Sequence, residues 1–186
     1  GGRPLSSAQL NGNNLTYNPN EFNDLGATES ENLTFSYDVT DSKGGTVTQT
    51  INLTIQGQND APVTTAIDAG QVGEDDAPVV INLLQGQTDP DANDTLSVQN
   101  IVAVDENNDP VSFTNNNDGT ITIDPTQYDA LNDGENRVVT VTYDVADGTT
   151  ATQNTASLEV LGATDNLAPD AVDDVLEPVS EFLVNE

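Results

Sequence analysis

The chain has 186 residues, with 32 acidic side chains against 3 basic ones, a net charge of −29, and no His, Cys, Met or Trp. This balance excludes nucleic acid and anionic membrane as partners, since both are held through Lys and Arg. The missing Cys and His exclude disulfides, thiolate nucleophiles and zinc's preferred ligands. An acidic surface of this density attracts cations, and hard divalent ions with oxygen ligands are the clasp open to a secreted domain that has no disulfides.

Low hydropathy with high net charge can signal disorder, but the apolar residues here fall in short alternating runs. They alternate cleanly in Ile51-Asn52-Leu53-Thr54-Ile55 and in Val139-Thr140-Val141-Thr142-Tyr143. Period-two alternation predicts half-buried strands. Further along, strands are expected near 63–73, 78–84, 95–104, 111–114, 120–123, 137–146 and 150–161. Asn- and Gly-rich turns separate them, at Glu106-Asn107-Asn108-Asp109, Asn115-Asn116-Asn117-Asp118-Gly119 and Asp147-Gly148. No helical period is sustained, and no apolar run approaches the ~18 residues of a membrane span. Two such sheets facing each other make a sandwich.

The chain repeats itself. Pro19, Phe22, Leu25 and Tyr37 recur as Pro125, Tyr128, Leu131 and Tyr143, each 106 residues on, and Phe35 to Asp41 matches Val141 to Asp147 at the same offset. Ala61-Pro62 recurs as Ala168-Pro169, and Val72-Gly73-Glu74 matches Val184-Asn185-Glu186. The period is the size of one β-sandwich domain. The expected organisation is the second half of one repeat (1–58), a linker (59–62), a complete repeat (63–165), and a linker with the first strand of a third repeat (166–186). The opening Gly1-Gly2-Arg3-Pro4 carries no signal-peptide pattern, and the chain reads as a segment of a longer one. Between strands, Pro125, Tyr128 and Leu131 are expected to form a short turn that plugs the sandwich edge, as Pro19, Phe22 and Leu25 do in the first repeat.

Strand directions decide where the acids meet. Three distant segments reach the leading end of the complete repeat: the linker Asn59-Asp60-Ala61-Pro62, the loop Asp89-Pro90-Asp91-Ala92-Asn93-Asp94, and the hairpin bearing Asp144 and Asp147. Close carboxylates repel unless a cation lies between them. Ca²⁺ accepts six to eight oxygens in flexible geometry, and Asp89-x-Asp91 can aim two carboxylates at one ion from a loop stiffened by Pro90. Asp38 and Asp41 occupy the matching hairpin of the first repeat, where Asp suits a β-turn as well as a metal. At the trailing end stand Glu74-Asp75-Asp76, the turn residues Asp105 and Glu106, read as solvated, and the linker Asp165-Asn166-Leu167-Ala168-Pro169-Asp170.

The run Leu33 to Pro62, with Tyr37-Asp38-Val39-Thr40-Asp41, Gly44-Gly45-Thr46 and Asn59-Asp60-Ala61-Pro62, resembles the VCBS and cadherin-like repeats of giant bacterial RTX adhesins, the biofilm and ice-binding adhesins among them. The resemblance implies tandem cadherin-like or immunoglobulin-like Greek-key sandwiches, exported by type I secretion to the surface of a Gram-negative bacterium and stiffened by calcium between domains. It implies metal ligands at Glu74, at Asn59 and Asp60 in the leading linker, at Asp165 and Asn166 in the trailing one, and at Asp89 and Asp91. The trailing linker departs from the Asn-Asp-Ala-Pro pattern, and the Gly-Gly-x-Gly-x-Asp nonapeptides of RTX toxin tails are absent.

Enzyme chemistry finds little footing. The one Lys, Lys43, lies in a hairpin, and no Gly-rich phosphate loop precedes a helix. Sugar subsites stack aromatics, and the few Tyr and Phe stand mostly at repeated core positions. The expected function is a non-catalytic extender that projects a ligand-binding module, with neighbouring repeats as partners. Two alternatives stay open: direct recognition of a glycan, a peptide or a sister chain, and an accessory β-domain of a secreted enzyme. Because the chain carries a half repeat at one end and a lone first strand at the other, two further expectations stay open: strand exchange between chains, or ends that are simply the edges of domains completed within a longer parent.

Overall fold

The computed structural model describes residues 8–164. It is all-β: eleven strands and two single 3-10 turns, with no helix long and apolar enough to cross a membrane among the described residues. The first part holds β1 (Gln9–Asn11), β2 (Asn14–Thr16), β3 (Ser30–Thr40) and β4 (Thr46–Gln56). β1 pairs with β2 and β3 with β4, both antiparallel.

The second part is a complete sandwich. Its strands are β5 (Ile67–Gly73), β6 (Val79–Asn82), β7 (Ser97–Asp105), β8 (Phe113–Asn115), β9 (Thr120–Ile123), β10 (Asn136–Ala146) and β11 (Ala151–Leu161). One sheet has the order β5-β11-β10-β7, with β5 parallel to β11; the other is β6-β9-β8. The chain crosses between sheets after β5, β6, β7 and β9, which gives the interleaved connectivity of an immunoglobulin-like sandwich.

The alternating pattern does what its period requires. Along β10, Val139, Val141, Tyr143 and Val145 are all fully buried, and along β11 Ala156, Leu158 and Val160 meet them from the next strand. Ile81, Leu83, Ile121 and Ile123 close the core from the second sheet. The opposite faces carry Thr and Asn, which bond across strands: Thr34 Oγ1 donates to Asn52 Oδ1 at 2.9 Å and Thr54 Oγ1 to Asn32 Oδ1 at 2.7 Å.

Tyr143 is the one large polar-tipped side chain in this core. Its hydroxyl donates to the Leu83 carbonyl at 2.9 Å and accepts from Asn154 Nδ2 at 2.8 Å. Burial pushes the phenol pKa up, against the lowering pull of the Asn154 amide. Tyr143→Phe leaves one acceptor and one donor without this partner, so denaturant unfolding should show a loss of about 1–2 kcal/mol.

The plug sequences form 3-10 turns at Pro19–Phe22 and Pro125–Tyr128. Each has Pro at its first position, where a fixed φ and a missing N–H cost nothing. Each is capped by the preceding side chain: Asn18 Oδ1 accepts from Asn20 N, and Asp124 Oδ1 from Thr126 N, both at 3.1 Å. Pro125, Leu131 and Phe22 are buried. Tyr128 is half-buried against the core edge, and burial with nearby Asp105 and Glu106 pushes its phenol up to about 12.

Strand bounds differ from expectation at one instructive place. Residues 63–66 do not extend β5; instead Val63 bridges to Thr88 beside the second sheet, with N···O distances of 2.8 and 3.2 Å. The segment switches sheets before β5 begins. Asp105, read as solvated, is buried because its Oδ1 closes the β7–β8 turn, accepting from Asn107 N at 2.8 Å and Asp109 N at 3.0 Å.

A candidate calcium centre at the joint

The topology brings the start of β7, the end of β10, the start of β11 and residues 59–62 to one end of the sandwich. Ser97 pairs with Ala146, and Ala146 with Ala151, so the 89–94 loop and the Asp147 hairpin are neighbours. There, one carboxylate oxygen each from Asp89, Asp94 and Asp147 lies within 4.8 Å of the others. Oxygens on opposite sides of a calcium ion, each ~2.3–2.6 Å from it, stand about that far apart.

Asp91 sits beneath this group at 2 % exposure. Its Oδ2 accepts from Asp60 N at 2.9 Å, which ties the linker to the loop. Its Oδ1 is buried without a hydrogen-bond partner, as is Asp89 Oδ2. Asp89 Oδ1 is taken by Asp91 N at 2.9 Å, the local bond that bends the loop. Buried carboxylate oxygens without donors are costly, and two of them beside a three-carboxylate cluster fit a divalent cation.

The electrostatics agree. Burial and then the charges of Asp91, Asp89, Asp147 and Glu29 raise the Asp94 pKa above the usual carboxylate range. For Asp147, burial also works against ionisation, but the Thr150 N–H, the Asn59 amide, the Thr149 N–H and the Thr150 hydroxyl outweigh it and hold the carboxyl well below that range. The bonds are short: Thr149 N and Thr150 N each at 2.6 Å from Oδ1, Thr150 Oγ1 at 2.7 Å and Asn59 Nδ2 at 3.0 Å from Oδ2. Asp147 is thus a fixed anion, while Asp94 is an anion under pressure from its neighbours.

The preceding half repeat also reaches the cluster, which sequence reasoning missed. Gly26 packs on it closely enough that a Cβ there would stand 3.6 Å from Asp94 Oδ1 and 3.7 Å from Asp91 Cγ. Asn23 Nδ2 donates to Asp60 Oδ2 at 2.9 Å, and the Asp24 carbonyl accepts from Ala92 N at 3.1 Å. Glu29 accepts from Gly26 N at 3.0 Å and from the Asn93 amide. The signal was present in the repeat: Glu135, 106 residues after Glu29, holds the same turn by accepting from Asn132 N at 2.9 Å.

Other expected ligands stand elsewhere. Asp144 lies one position beyond the inward-facing Tyr143, so alternation turns it outward, where it accepts from Asn100 Nδ2 at 2.7 Å beside a β-bulge. Asp38, its counterpart, accepts from Thr48 Oγ1 at 2.7 Å. Asp41 closes the β3–β4 turn through Lys43 N and Gly45 N, both at 2.8 Å, at the far end of that hairpin. Glu74 is fully buried, and its two oxygens serve backbone: Oε2 accepts from Leu131 N at 3.1 Å and Oε1 from Ala163 N at 2.6 Å. Asp165 and Asn166 lie outside the described residues.

The sandwich with its joint defines the class, and the family follows. The model of the cadherin-like domain matches residues 58–161, and that of a bacterial Ig domain matches residues 2–54. The chain belongs to the cadherin-like domain family. Among solved structures it is similar to an endo-fucoidan hydrolase, MfFcnA4 from glycoside hydrolase family 107, at 14 % identity and TM-score 0.40, over 75 % of this chain and 19 % of that one. It is also similar to zebrafish RET cadherin-like domains 1 to 4, at 18 % identity and TM-score 0.33, over 80 % of this chain and 33 % of that one. The chain therefore spans a third or less of the length of either structure. No curated protein matches it.

Proposed function

We propose that this chain is a calcium-stiffened extender segment of a large bacterial surface adhesin, displayed outside a Gram-negative cell and carrying a distal ligand-binding module in adhesion or biofilm formation. The proposed role is mechanical, with no catalytic part. The observation that supports it is the joint. The linker (Asn59, Asp60), one loop (Asp89, Asp91, Asp94), one hairpin (Asp147) and the preceding half repeat (Asn23, Gly26, Glu29) converge on one cluster whose buried oxygens Asp89 Oδ2 and Asp91 Oδ1 have no donor.

A cation there binds both sides of the linker at once. Without it, like charges at the joint push the half repeat and the sandwich apart; with it, bending the linker breaks ligand bonds. Type I secretion and the RTX class come from the resemblance of the repeats, and the family match to cadherin-like and bacterial Ig domains fits an extracellular setting.

Small-angle scattering tests this. Calcium at millimolar level, the range in which extracellular modules bind (about 10⁻⁴–10⁻³ M), should lengthen the particle and narrow its distance distribution, and chelator should reverse both. A scattering curve unmoved by calcium would remove the mechanical role.

A further inference from the structure

A second feature, within the complete repeat, is independent of the joint. β7 is an edge strand of one sheet and β8 an edge strand of the other, and the two edges meet on one side of the sandwich. Over the trailing half the seam between them is closed: Val104 bridges to Pro110, and Val111 N donates to the Ala103 carbonyl at 3.0 Å. Over the leading half it is open. Leu84, Leu96, Val98 and Ile101 pack against the core below, and with the β8–β9 hairpin they line a groove of about 340 Å³.

Both walls are fixed by the fold. β10 pairs Thr142 with Val102 but Asp144 with Gln99, so β7 carries one extra residue between them. At this bulge Asn100 turns outward and donates to Asp144 at 2.7 Å, while Ile101 turns to the core. On the other wall the Gly119 carbonyl accepts from Leu83 N at 3.0 Å. A φ of +85°, and a Cβ that would stand 2.7 Å from Leu84 Cδ1, reserve that position for glycine. Apart from the Pro110 bridge, nothing pairs with the outer edge of β7 among the described residues. In an antiparallel edge strand every second residue aims its N–H and C=O away from the sheet. Charge on such an edge is a common guard against pairing, yet Ser97 to Val104 contains no charged residue.

We infer that this groove binds an extended cationic peptide, with lysine or arginine alternating with aliphatic residues, as an added strand along 97–101 of β7. The open edge spans about 16 Å at ~3.3 Å per residue. Alternation sends the peptide's aliphatic side chains into the groove, over Val98 and Ile101, and its cationic ones to the outer face of the sheet, where Asp144 stands. Asp118 adds a second carboxylate on the rim, and no basic side chain lines the groove. Of the described basic residues, Lys43 lies in the β3–β4 turn and Arg137 at the opposite end of β10. The net charge of −29 draws such a peptide in and repels a second copy of this chain.

Fluorescence anisotropy tests this with two short labelled peptides of one composition, leucine and lysine in strict alternation and the same residues in two blocks. Millimolar calcium is present to compete with lysine at the joint. The alternating peptide should bind about tenfold tighter, since one aliphatic side chain buried or left out is worth at least that factor. Ser97→Lys and Asn115→Lys, exposed positions on opposite walls, should each weaken it about tenfold with the melting temperature unchanged. Val80→Lys adds the same charge on the outer face of β6, away from the groove, and should cost about twofold at most. Equal binding of the two peptides, no binding of either, or equal effects of all three substitutions would overturn the inference. Self-association of the chain that Ser97→Lys abolishes would give the groove to a second copy and overturn the cationic occupant.

Discussion

Calcium should raise the melting temperature of this chain strongly, and Asp91→Asn should abolish the rise. A site saturated at about 100 times its dissociation constant adds about 2.7 kcal/mol, and ~1 kcal/mol moves the midpoint of a 60–100-residue domain by roughly 4–8 °C. The expected shift is therefore about 10–20 °C per site. Asp91→Asn removes one anion from the cluster but keeps an oxygen for Asp60 N, so the sign of its effect reverses with the metal. In chelator, the variant should melt at the same temperature as the parent or above it, because repulsion is relieved. In calcium, it should melt well below. A substitution that merely damaged the loop would lower both. Lowering the pH should oppose calcium through Asp94. Its pKa is raised in the metal-free cluster by burial and four neighbouring carboxylates, so protons compete there before they reach an ordinary Asp at ~3.9. Asp147 works in the other direction. Its folded pKa is depressed, so the stability it contributes is present above the ordinary Asp range and is lost only as pH falls through its lowered value. Calorimetric titration at stepped pH should thus show affinity falling first, with unfolding at lower pH.

The second large effect belongs to Glu74. Its carboxylate, fully buried, closes the end of β5 onto the Leu131 turn and onto Ala163 just after β11. Charge-assisted bonds to backbone N–H groups are among the strong ones. Truncation by Glu74→Ala leaves Ala163 N without this acceptor and a cavity where the side chain stood, a loss of about 2–4 kcal/mol. The loss should be the same in calcium and in chelator, read by urea unfolding in each. A loss that appears only with calcium present would instead make Glu74 a ligand, the role its resemblance to cadherin-like repeats implied.

Much of the fold could be read from spacing alone. Pro19 and Pro125, and Asp41 and Asp147, repeat at one offset, and each pair has the same local structure: first residue of a 3-10 turn, turn-closing carboxylate. Such features are local, set by alternation and turn chemistry, and so survive as sequence signals. The convergence of Asp60, Asp89, Asp91, Asp94 and Asp147 was legible too, because strand direction alone sends those loops to one end. Two kinds of feature were not. Asp144 shares its hairpin with Asp147 but faces outward beside a bulge marked by Asn100 at φ +53°, and a bulge leaves little trace in an alternating pattern. Glu29, Asn93 and Glu74 depend on which backbone N–H or side chain a distant segment brings near, and that is fixed only by packing. The same dependence separates Val39 from Val145: equivalent in sequence, the latter fully buried in the sandwich core and the former 52 % exposed among the described residues.

A crystal structure grown in millimolar calcium is the most direct check on the joint. The account predicts anomalous density for one ion or more among Asp89, Asp91, Asp94 and Asp147, with Asp91 Oδ1 and Asp89 Oδ2 turned onto the metal. Those two oxygens found instead bonded to water or protein donors, with no ion at the joint, would contradict it.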